Sequence, residues 1–244
     1  MKTLTIFKTL GPIDLKNVRR DSLLLWLPLI PIIQALGIRS CVPIVAAALQ
    51  QHLGFDLTPY YPLIMGAFVL ESPITTGVIV GFLLLDERDS HMLTALLVTP
   101  MPLSGYFLYR ISIPVLLGVT TTLIGFPIAG LTPLPFGHLL VVALLGSLIG
   151  PQVALFLAAF AENKVAGFAL FKFLNSLLFI PIVAFFLPGN WQLLAGFLSP
   201  FWPLKVFWLA AQGQSYWLFL LAGLLVNLIT LMLLLQRFQK VVHR

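Results

Sequence analysis

The stretch PLIMGAFVLESPITTGVIVGFLLL, residues 62–85, decides the fold class of this chain. It is apolar almost throughout, with Glu71 as its one ionisable residue, and it does not alternate between apolar and polar positions. About 20 apolar residues are enough for a helix to cross a hydrocarbon core of ~30 Å. A barrel strand would instead alternate between lipid-facing and lumen-facing residues. We therefore expect residues 62–85 to form a membrane-spanning helix.

The composition of the whole chain points the same way. Of its 244 residues, 59% are hydrophobic and only 9% are charged, whereas soluble domains carry about 25% charged residues. Because unpaired backbone polar groups are too costly in lipid, such a chain crosses the membrane as helices or as a closed barrel. Its long, continuous apolar runs predict an all-α membrane protein, a single domain over residues 1–244 with six transmembrane helices at 23–45, 62–85, 111–131, 139–161, 165–187 and 217–235.

The positive charges indicate how the chain is oriented. Of its 14 lysines and arginines, all except Arg39 and Lys205 fall on one side if the spans are traced from a cytoplasmic N-terminus. This strong positive-inside bias predicts a multi-pass protein with both termini cytoplasmic, in the inner (plasma) membrane of a prokaryote. The net charge of +6 is therefore explained by membrane orientation and by lipid contact, and no nucleic-acid partner is expected.

Two segments outside the spans are also expected to contact the membrane. Residues 1–21 are predicted to be a cytoplasmic interfacial segment, in which Pro12 starts a short helix and the basic residues favour anionic head groups. Residues 188–216 are too apolar for a plain loop. We expect them to form a re-entrant hairpin of two short helices that dips into the outer leaflet, just before span six.

Residues 86–100, DERDSHMLTALLVTP, follow span two at once. Asp86, Glu87 and Asp89 suit a helix N-terminus, and Pro100 suits its end. An apolar stripe at helical spacing is formed by Met92, Leu93, Leu96 and Leu97. The pattern predicts a short amphipathic helix on the cytoplasmic surface. Such a helix could simply rest its leucines among lipid head groups, but those helices are usually basic and this one is acidic, which favours a protein partner.

The order of residues here is similar to a known family pattern. Glu87-Arg88-Asp89-Ser90, then Leu93, Leu96 and Leu97, then Val98-Thr99-Pro100 resembles the segment after the second span of type-2 ATP-binding-cassette exporter permeases, which commonly reads E-K/R-x-x-G-T-L and then L-L-V-T-P. The continuation Leu103, Tyr106, Tyr109-Arg110 resembles the fluoroquinolone or multidrug export branch. His91 stands where the family usually has glycine, which allows backbone turns that histidine resists.

The resemblance implies a permease subunit of an ATP-driven exporter, which pairs with a second permease, identical or different, and with two separate ATPase subunits. Residues 86–100 would then be the coupling helix, with Glu87, Arg88, Leu93 and Leu96 contacting the ATPase. The chain contains no Gly-Lys dipeptide and so no phosphate-binding loop of the G-x-x-x-x-G-K-[ST] kind. ATP and Mg²⁺ are accordingly expected on the partner subunits, with no cofactor and no catalytic site in this chain.

The resemblance also implies a substrate path, because spans two and five line that path in the family. The candidate path residues are Glu71, Thr75, Thr76, Asn175 and Phe179, and the expected substrate is an apolar or amphipathic drug-like compound, peptide or lipid. An ionisable group inside the membrane is costly and often functional. Glu71 is therefore a candidate site for a cationic or polar substrate. The alternative is that Glu71 lies at an irregular helix start before Pro73 and reaches outer water.

Glycines recur at the small-xxx-small spacing that lets membrane helices approach closely, as Gly77 and Gly81 and again as Gly146 and Gly150. Internal packing is the favoured interpretation of both pairs.

Two other classes of protein remain open. A self-sufficient secondary transporter would need an ion-coupling site near the membrane midplane and, often, two related halves, neither of which the sequence shows. An intramembrane enzyme would need clustered nucleophiles, carboxylates or histidines on facing spans. Only Glu71 is deeply placed, and the histidines are scattered over separate segments at His52, His91, His138 and His243, so no metal site is expected.

Overall fold

The computed structural model describes residues 3–20, 22–90 and 103–242, and no strand occurs within those ranges. Six helical segments are long and apolar enough to cross a membrane, which confirms the expected all-α architecture. We call them spans one to six: Leu24–Leu53, Thr58–Asp89, Gly105–Ala129, Phe136–Phe160, Lys164–Phe186 and Trp217–Val241. The helices are Thr3–Arg20, Ser22–Trp26, Ile30–Leu53, Tyr61–Asp89, Leu103–Ala129, Phe136–Ser147, Ile149–Phe160, Lys164–Val183, Phe201–Ala211 and Trp217–Val242, with 3-10 turns at Leu27–Leu29, Thr58–Tyr60, Ala184–Phe186 and Gly189–Phe197.

Most of the spans are longer than the sequence predicts, and spans one and two show this clearly. Span one continues from the expected end at residue 45 to Leu53, where Gly54 takes a φ of +64° and ends the helix. Span two continues through Asp89 instead of stopping at residue 85. Hydropathy marks where lipid ends, whereas a helix continues for as long as its backbone hydrogen bonds and side-chain contacts favour it. Both helices therefore extend beyond the apolar run that reveals them.

The connection between spans one and two is short, and it contains a hydrogen bond from the backbone to the side chain of Asp56. The carboxylate of Asp56 accepts a hydrogen bond from the backbone N–H of Thr58 (2.9 Å). This bond lowers the pKa of the exposed Asp56 carboxyl, because it stabilises the charged form.

The N-terminal helix, Thr3–Arg20, passes through Pro12 without a break, so the predicted helix start at Pro12 is wrong. A proline inside a helix removes a backbone donor and normally costs about 3 kcal/mol. Tertiary contacts hold this helix together across the proline: Leu10 is buried on one side of it, and Asp14 forms a buried ion pair on the other. Packing of this kind supplies most helix stability in proteins. The position of the helix at the membrane surface stays a prediction.

Span two is the central helix of the bundle. In the most apolar 18-residue stretch of span two, 94% of the residues are buried. In the corresponding stretches of spans one, five and six, 6%, 12% and 11% of the residues are buried. It packs on spans three, four and five and on the helix Phe201–Ala211. A movement of span two therefore has to move its neighbours with it.

Close packing between spans two and four depends on glycine. A Cβ atom added to Gly77 would lie 2.9 Å from the Cα atom of Gly150 and closer still to the carbonyl oxygen of Gly150. This contact confirms the interpretation of these glycines as internal packing residues, because only the absence of a side chain lets the two backbones approach so closely.

Gly77→Ala is therefore expected to force the two spans apart and to lower the free energy of unfolding by about 1–3 kcal/mol, the usual cost of overpacking. The matched control is Gly37→Ala in span one, where an added Cβ meets no atom within 4 Å. Thermal unfolding of the purified variants measures both. Equal stability of Gly77→Ala and Gly37→Ala would contradict the proposed contact.

The segment between spans five and six folds into two short helices, Gly189–Phe197 and Phe201–Ala211, which we call the hairpin. The first is a 3-10 helix and the second an α-helix. The side chains of Phe201, Leu204 and Phe207 are fully buried against the bundle. Two short helices thus occupy the segment at residues 188–216, and the re-entrant hairpin in the outer leaflet stays a prediction.

Buried amides tie the turn of the hairpin to two spans. Gln152 of span four donates a hydrogen bond to the side chain of Asn227 in span six (2.8 Å), and it accepts one from Ser199 in the turn (2.5 Å). All three residues are buried. Cross-helix polar contacts in membrane bundles are worth about 0.6 kcal/mol on average. Their role here is to fix the position of the hairpin.

Candidate functional site: a buried ionic cluster and a polar cavity

Five polar side chains meet where the N-terminal helix, the end of span two and the start of span three converge. We call this group the Arg110 cluster, and its members are Asp14, Glu87, Tyr106, Tyr109 and Arg110. Each charged member is nearly inaccessible: Arg110 is 2% exposed, Glu87 5% and Asp14 9%. Charges are rarely buried unless they are paired and hydrogen-bonded, so the contacts within this group decide whether it is stable.

Arg110 sits between two carboxylates. Its two terminal nitrogens donate to the two oxygens of Asp14 at 2.6 and 3.1 Å, a bidentate arrangement that only a planar guanidinium provides. One of these nitrogens also donates to the carboxylate of Glu87. One side chain of span three thereby holds the N-terminal helix and the last turn of span two together.

Two tyrosines complete the cluster. Tyr106 donates its hydroxyl hydrogen to the second oxygen of Glu87, and Tyr109 donates to Asp14 at 2.6 Å. Their rings also lie 5.5 and 5.3 Å from the guanidinium carbon of Arg110, within the range of cation–π attraction. Among the described residues the cluster contains two carboxyl groups and one guanidinium, and the two hydroxyl groups give each carboxyl group a further hydrogen-bond donor.

The cluster is built by local helix periodicity plus two long-range contacts. Tyr106, Tyr109 and Arg110 share one helix face because they are spaced i, i+3 and i+4. Asp14 and Glu87 approach that face from other helices. Glu87 lies just before Ser90 and Tyr106 just after Leu103, so the cluster clamps the two described ends that flank residues 91–102. A force applied to that segment would reach spans two and three and the N-terminal helix together.

The predicted helix start at Asp86 is wrong, because Asp86 to Asp89 form the last turn of span two. No glycine or proline separates them from the apolar run, so the helix has no reason to end there. Carboxylates at a helix C-terminus oppose the helix dipole. Here ion pairs offset that effect, since Asp86 pairs with Lys164 at 2.9 Å and Glu87 pairs with Arg110.

Arg88 also points into the protein. Its guanidinium donates to the carbonyl oxygens of Ala158 (3.0 Å), in the last turn of span four, and of Glu162 (2.8 Å), just after that span. It thus satisfies one of the carbonyl groups that a helix end leaves without a partner. Glu87 and Arg88 position span two against its neighbours, and their predicted contact with an ATPase stays a prediction. Leu93, Leu96 and His91 lie outside the described residues.

Glu71 and Asn175 of the predicted path are brought together by the fold. They line a cavity of about 170 Å³ between spans one, two and five, together with Gln34, Ala67, Leu70, Ile74 and Ile182. The alternative that Glu71 lies at an irregular helix start is wrong, because the helix begins at Tyr61 and is continuous through Glu71 and Pro73. The carboxylate is instead held on a regular helix, inside the span, facing an apolar cleft with two amides.

The threonines of span two have other contacts. Thr75 donates to the carbonyl oxygen of Glu71 (3.0 Å), and Thr76 donates to those of Pro73 (2.8 Å) and Pro114 (3.2 Å). Both side chains are buried, and neither lines this cavity. Phe179 lies on span five, and its side chain is outside the described part of the structure. The role of these three residues in a substrate path stays a prediction.

A second cavity, of about 220 Å³, lies between spans four, five and six and the hairpin turn. Its lining is apolar apart from Gln152, Ser199 and Thr230. Two of these polar residues are already engaged in the amide network that holds the turn. This cavity is therefore less suited than the Glu71 cavity to bind a polar group.

Neither Asp14 nor Gln34 is among the site residues expected from the sequence. The i, i+3, i+4 spacing of Tyr106, Tyr109 and Arg110 was a signal for a shared polar face, and a glutamine within an apolar run was a signal for Gln34. No local pattern marked Asp14 as the partner of Arg110, because the two are separated by 96 positions.

Six apolar spans, with a cleft among three of them that is lined by Glu71, Gln34 and Asn175, define a polytopic helical membrane protein. A sequence profile described as "Fluoroquinolones export permease protein Rv2686c-like" matches residues 14–235, and the chain belongs to this family. The expected resemblance to fluoroquinolone export permeases is thereby confirmed.

Two relatives from Mycobacterium tuberculosis show how far the similarity extends. The fluoroquinolones export permease protein Rv2686c of strain ATCC 25618 / H37Rv is 34% identical over 232 residues, which covers 94% of this chain and 92% of the relative. The fluoroquinolones export permease protein MT2760 of strain CDC 1551 / Oshkosh has the same identity and coverage. No solved structure matches this chain.

Proposed function

We propose that this chain is the membrane subunit of an ATP-driven exporter, coupled to separate ATPase subunits and paired with a second permease, identical or different. The observation that carries the proposal is the Arg110 cluster, which clamps both ends of the segment at residues 91–102 to the bundle. Membership of an export permease family supports the direction of transport.

The proposed mechanism starts outside this chain. ATPase subunits that bind ATP and Mg²⁺ move on closure, and they contact the apolar stripe that includes Leu93 and Leu96. The Arg110 cluster passes that movement to spans two and three. Because span two is the buried centre of the bundle, its displacement changes the space between spans one, two and five. In a pair of permeases, this space opens to one side of the membrane and then to the other.

The proposed substrate is an apolar or amphipathic drug-like compound. Relatives 34% identical over nearly the full chain are named as fluoroquinolone export permeases, and an apolar cavity with few polar groups suits a compound of that kind. Peptides and lipids fit the composition of the spans equally well. They can be added as competitors in the uptake assay described below.

The proposed location is the inner membrane of a prokaryotic cell, with both termini in the cytoplasm. The two terminal regions lie at the same end of the bundle, because Asp14 contacts Arg110 and Phe238 packs on Phe107 with 6.0 Å between ring centroids. Lys164 and Arg88 lie at that end as well. A cytoplasmic position for this basic end follows the positive-inside rule.

ATP-dependent uptake of a fluorescent fluoroquinolone into inside-out vesicles tests the proposal. Vesicles contain the permease and its ATPase, and the control vesicles contain an ATPase whose phosphate-loop lysine has been replaced. Uptake is expected only with ATP and the intact ATPase, and it should survive collapse of the proton gradient. Uptake that follows the proton gradient and needs no ATP would instead identify a secondary transporter.

A further inference from the structure

We infer that the cavity between spans one, two and five binds the protonated amine of an amphipathic substrate, with Glu71 as its counter-charge and Gln34 and Asn175 as its hydrogen-bond partners. The inference rests on the proposed export function and names the chemical class of substrate for that function. It is carried by the shape of the cavity, by the charge of Glu71 and by the acceptor groups that face the cavity.

The cavity is a cleft with span two as its floor. Spans one and five each pack on span two and make little contact with each other. Gln34 lies on the wall formed by span one, Glu71 on the floor, and Asn175 on the wall formed by span five. A ligand in the cleft would therefore touch three spans at once, and span two in particular, which is the helix joined to the Arg110 cluster.

Glu71 is a carboxyl group inside a span, and no charged side chain in the described ranges pairs with it. None of the ion pairs among those residues includes it, and the arginine of span one, Arg39, donates to the carbonyl oxygen of Ile128 instead. A carboxylate within a span is costly and is usually paired or functional. A cation that enters the cleft would remove that cost, and a neutral compound of the same shape would not.

Gln34 adds a second acceptor. Its side-chain oxygen is buried and has no hydrogen-bond partner among the described residues. A buried acceptor without a partner costs free energy that a ligand N–H would recover. A carboxylate, an open amide oxygen and the amide of Asn175 together favour a ligand with both a positive charge and N–H donors. A primary or secondary ammonium group has both, whereas a quaternary ammonium group has only the charge.

The volume limits how much of the substrate the cleft holds. At about 170 Å³ it is smaller than the 300–1,000 Å³ typical of sites for whole drug-sized ligands. It therefore accommodates an amine and the carbon atoms next to it, which would contact Leu70, Ile74 and Ile182. The remaining apolar part of the substrate would extend out of the cleft.

Fluorescence binding to the purified full-length permease in lipid nanodiscs, without ATPase or nucleotide, tests the inference. The probes are dansylcadaverine, which carries a primary ammonium group, its neutral N-acetyl derivative and its trimethylammonium derivative. We expect the wild-type chain to bind the ammonium probe about tenfold or more tightly than the neutral one, the usual effect of a charge-assisted hydrogen bond. Glu71→Gln should remove this preference and leave the affinity for the neutral probe within about twofold, since no charge-assisted bond is lost there.

Two further variants make the result specific. Glu162→Gln removes an exposed carboxylate outside the cleft and should leave all three affinities unchanged. Gln34→Leu should weaken binding of the primary ammonium probe and leave the trimethylammonium probe unaffected, because only the former donates N–H bonds. If Glu71→Gln does not elute as folded protein in size-exclusion chromatography, Gln34→Leu decides the question through the difference between the primary ammonium and trimethylammonium probes.

The inference is overturned if the wild-type chain binds the charged and neutral probes equally, or if Glu71→Gln keeps the wild-type preference. Because the binding assay contains no ATPase, its outcome is separate from that of the vesicle assay. ATP-dependent uptake with no amine preference would overturn the inference alone. An amine preference without ATP-dependent uptake would overturn the proposed ATP-driven export alone.

Discussion

Arg110→Met is expected to lower the free energy of unfolding by about 3–5 kcal/mol, because removing one partner of a buried ion pair leaves an uncompensated charge behind. Here two carboxylates, those of Asp14 and Glu87, lose their shared guanidinium. Total stability of a protein is typically about 5–15 kcal/mol, so the yield of monodisperse protein should fall sharply. Denaturant unfolding of the purified protein measures the change, and size-exclusion chromatography measures the yield.

The matched control is Arg237→Met in span six. Arg237 is exposed and its guanidinium lies over the ring of Phe160 at 5.6 Å, a contact worth about 0.5–1 kcal/mol at an exposed site. The triple variant Asp14→Asn, Glu87→Gln, Arg110→Met removes all three charges and should recover most of the lost stability. Wild-type stability of the single variant, or a triple variant no more stable than the single one, would contradict the structure of the cluster.

The six spans follow from the sequence because the bilayer acts on each segment by itself. An apolar run long enough to cross the hydrocarbon core has to be a helix, whatever the rest of the chain does. The packing role of Gly77 and Gly150 follows for a similar reason, since closely spaced glycines permit close approach wherever two helices cross, although the sequence does not pair these two with each other. Both properties depend on a few neighbouring residues.

The Arg110 cluster does not follow from the sequence, because its pairs join residues far apart in the chain. From the sequence alone, Asp14, Asp86, Glu87 and Asp89 are equally good partners for Arg110. Residues 86–89 also show why local sequence is not enough. Carboxylates suit a helix N-terminus, so the sequence predicts a helix start at these residues, whereas the structure places the end of span two there. The partners Arg110 and Lys164, which make a helix C-terminus acceptable, are contributed by other spans.

Pro12 shows a tertiary contact that overrides a local preference. Its ring favours a helix start, and an isolated peptide would be expected to begin its helix there. In the folded chain the helix begins at Thr3. The burial of Leu10 and the ion pair of Asp14 stabilise turns on both sides of the proline. Neither contact is visible in the local sequence.

Leu93→Asp is the second change expected to have a large effect. The predicted coupling helix presents Leu93 to the ATPase, and substitution would place a carboxylate in an apolar contact. A buried interfacial charge without a partner costs about 2–5 kcal/mol, which corresponds to a loss of affinity of about 30-fold or more. We expect the ATPase to be lost from the purified complex, while the permease itself stays folded, because the predicted amphipathic helix turns Leu93 toward its partner.

Thr94→Asp is the matched control for Leu93→Asp. It introduces the same charge at the neighbouring position, which a rotation of 100° per residue places off the apolar stripe. The ATPase should co-purify with Thr94→Asp as it does with the wild-type permease. Equal loss of the ATPase from both variants would attribute the effect to charge alone and would count against the predicted helix face.

Substrate-stimulated ATP hydrolysis by the permease and ATPase reconstituted together tests the coupling most directly. The wild-type complex and the Thr94→Asp complex should hydrolyse ATP faster when a fluoroquinolone is added. The Leu93→Asp complex should show only the basal rate, at any concentration of substrate. Stimulation of Leu93→Asp to the wild-type rate would contradict the proposal that this segment connects the ATPase to the membrane spans.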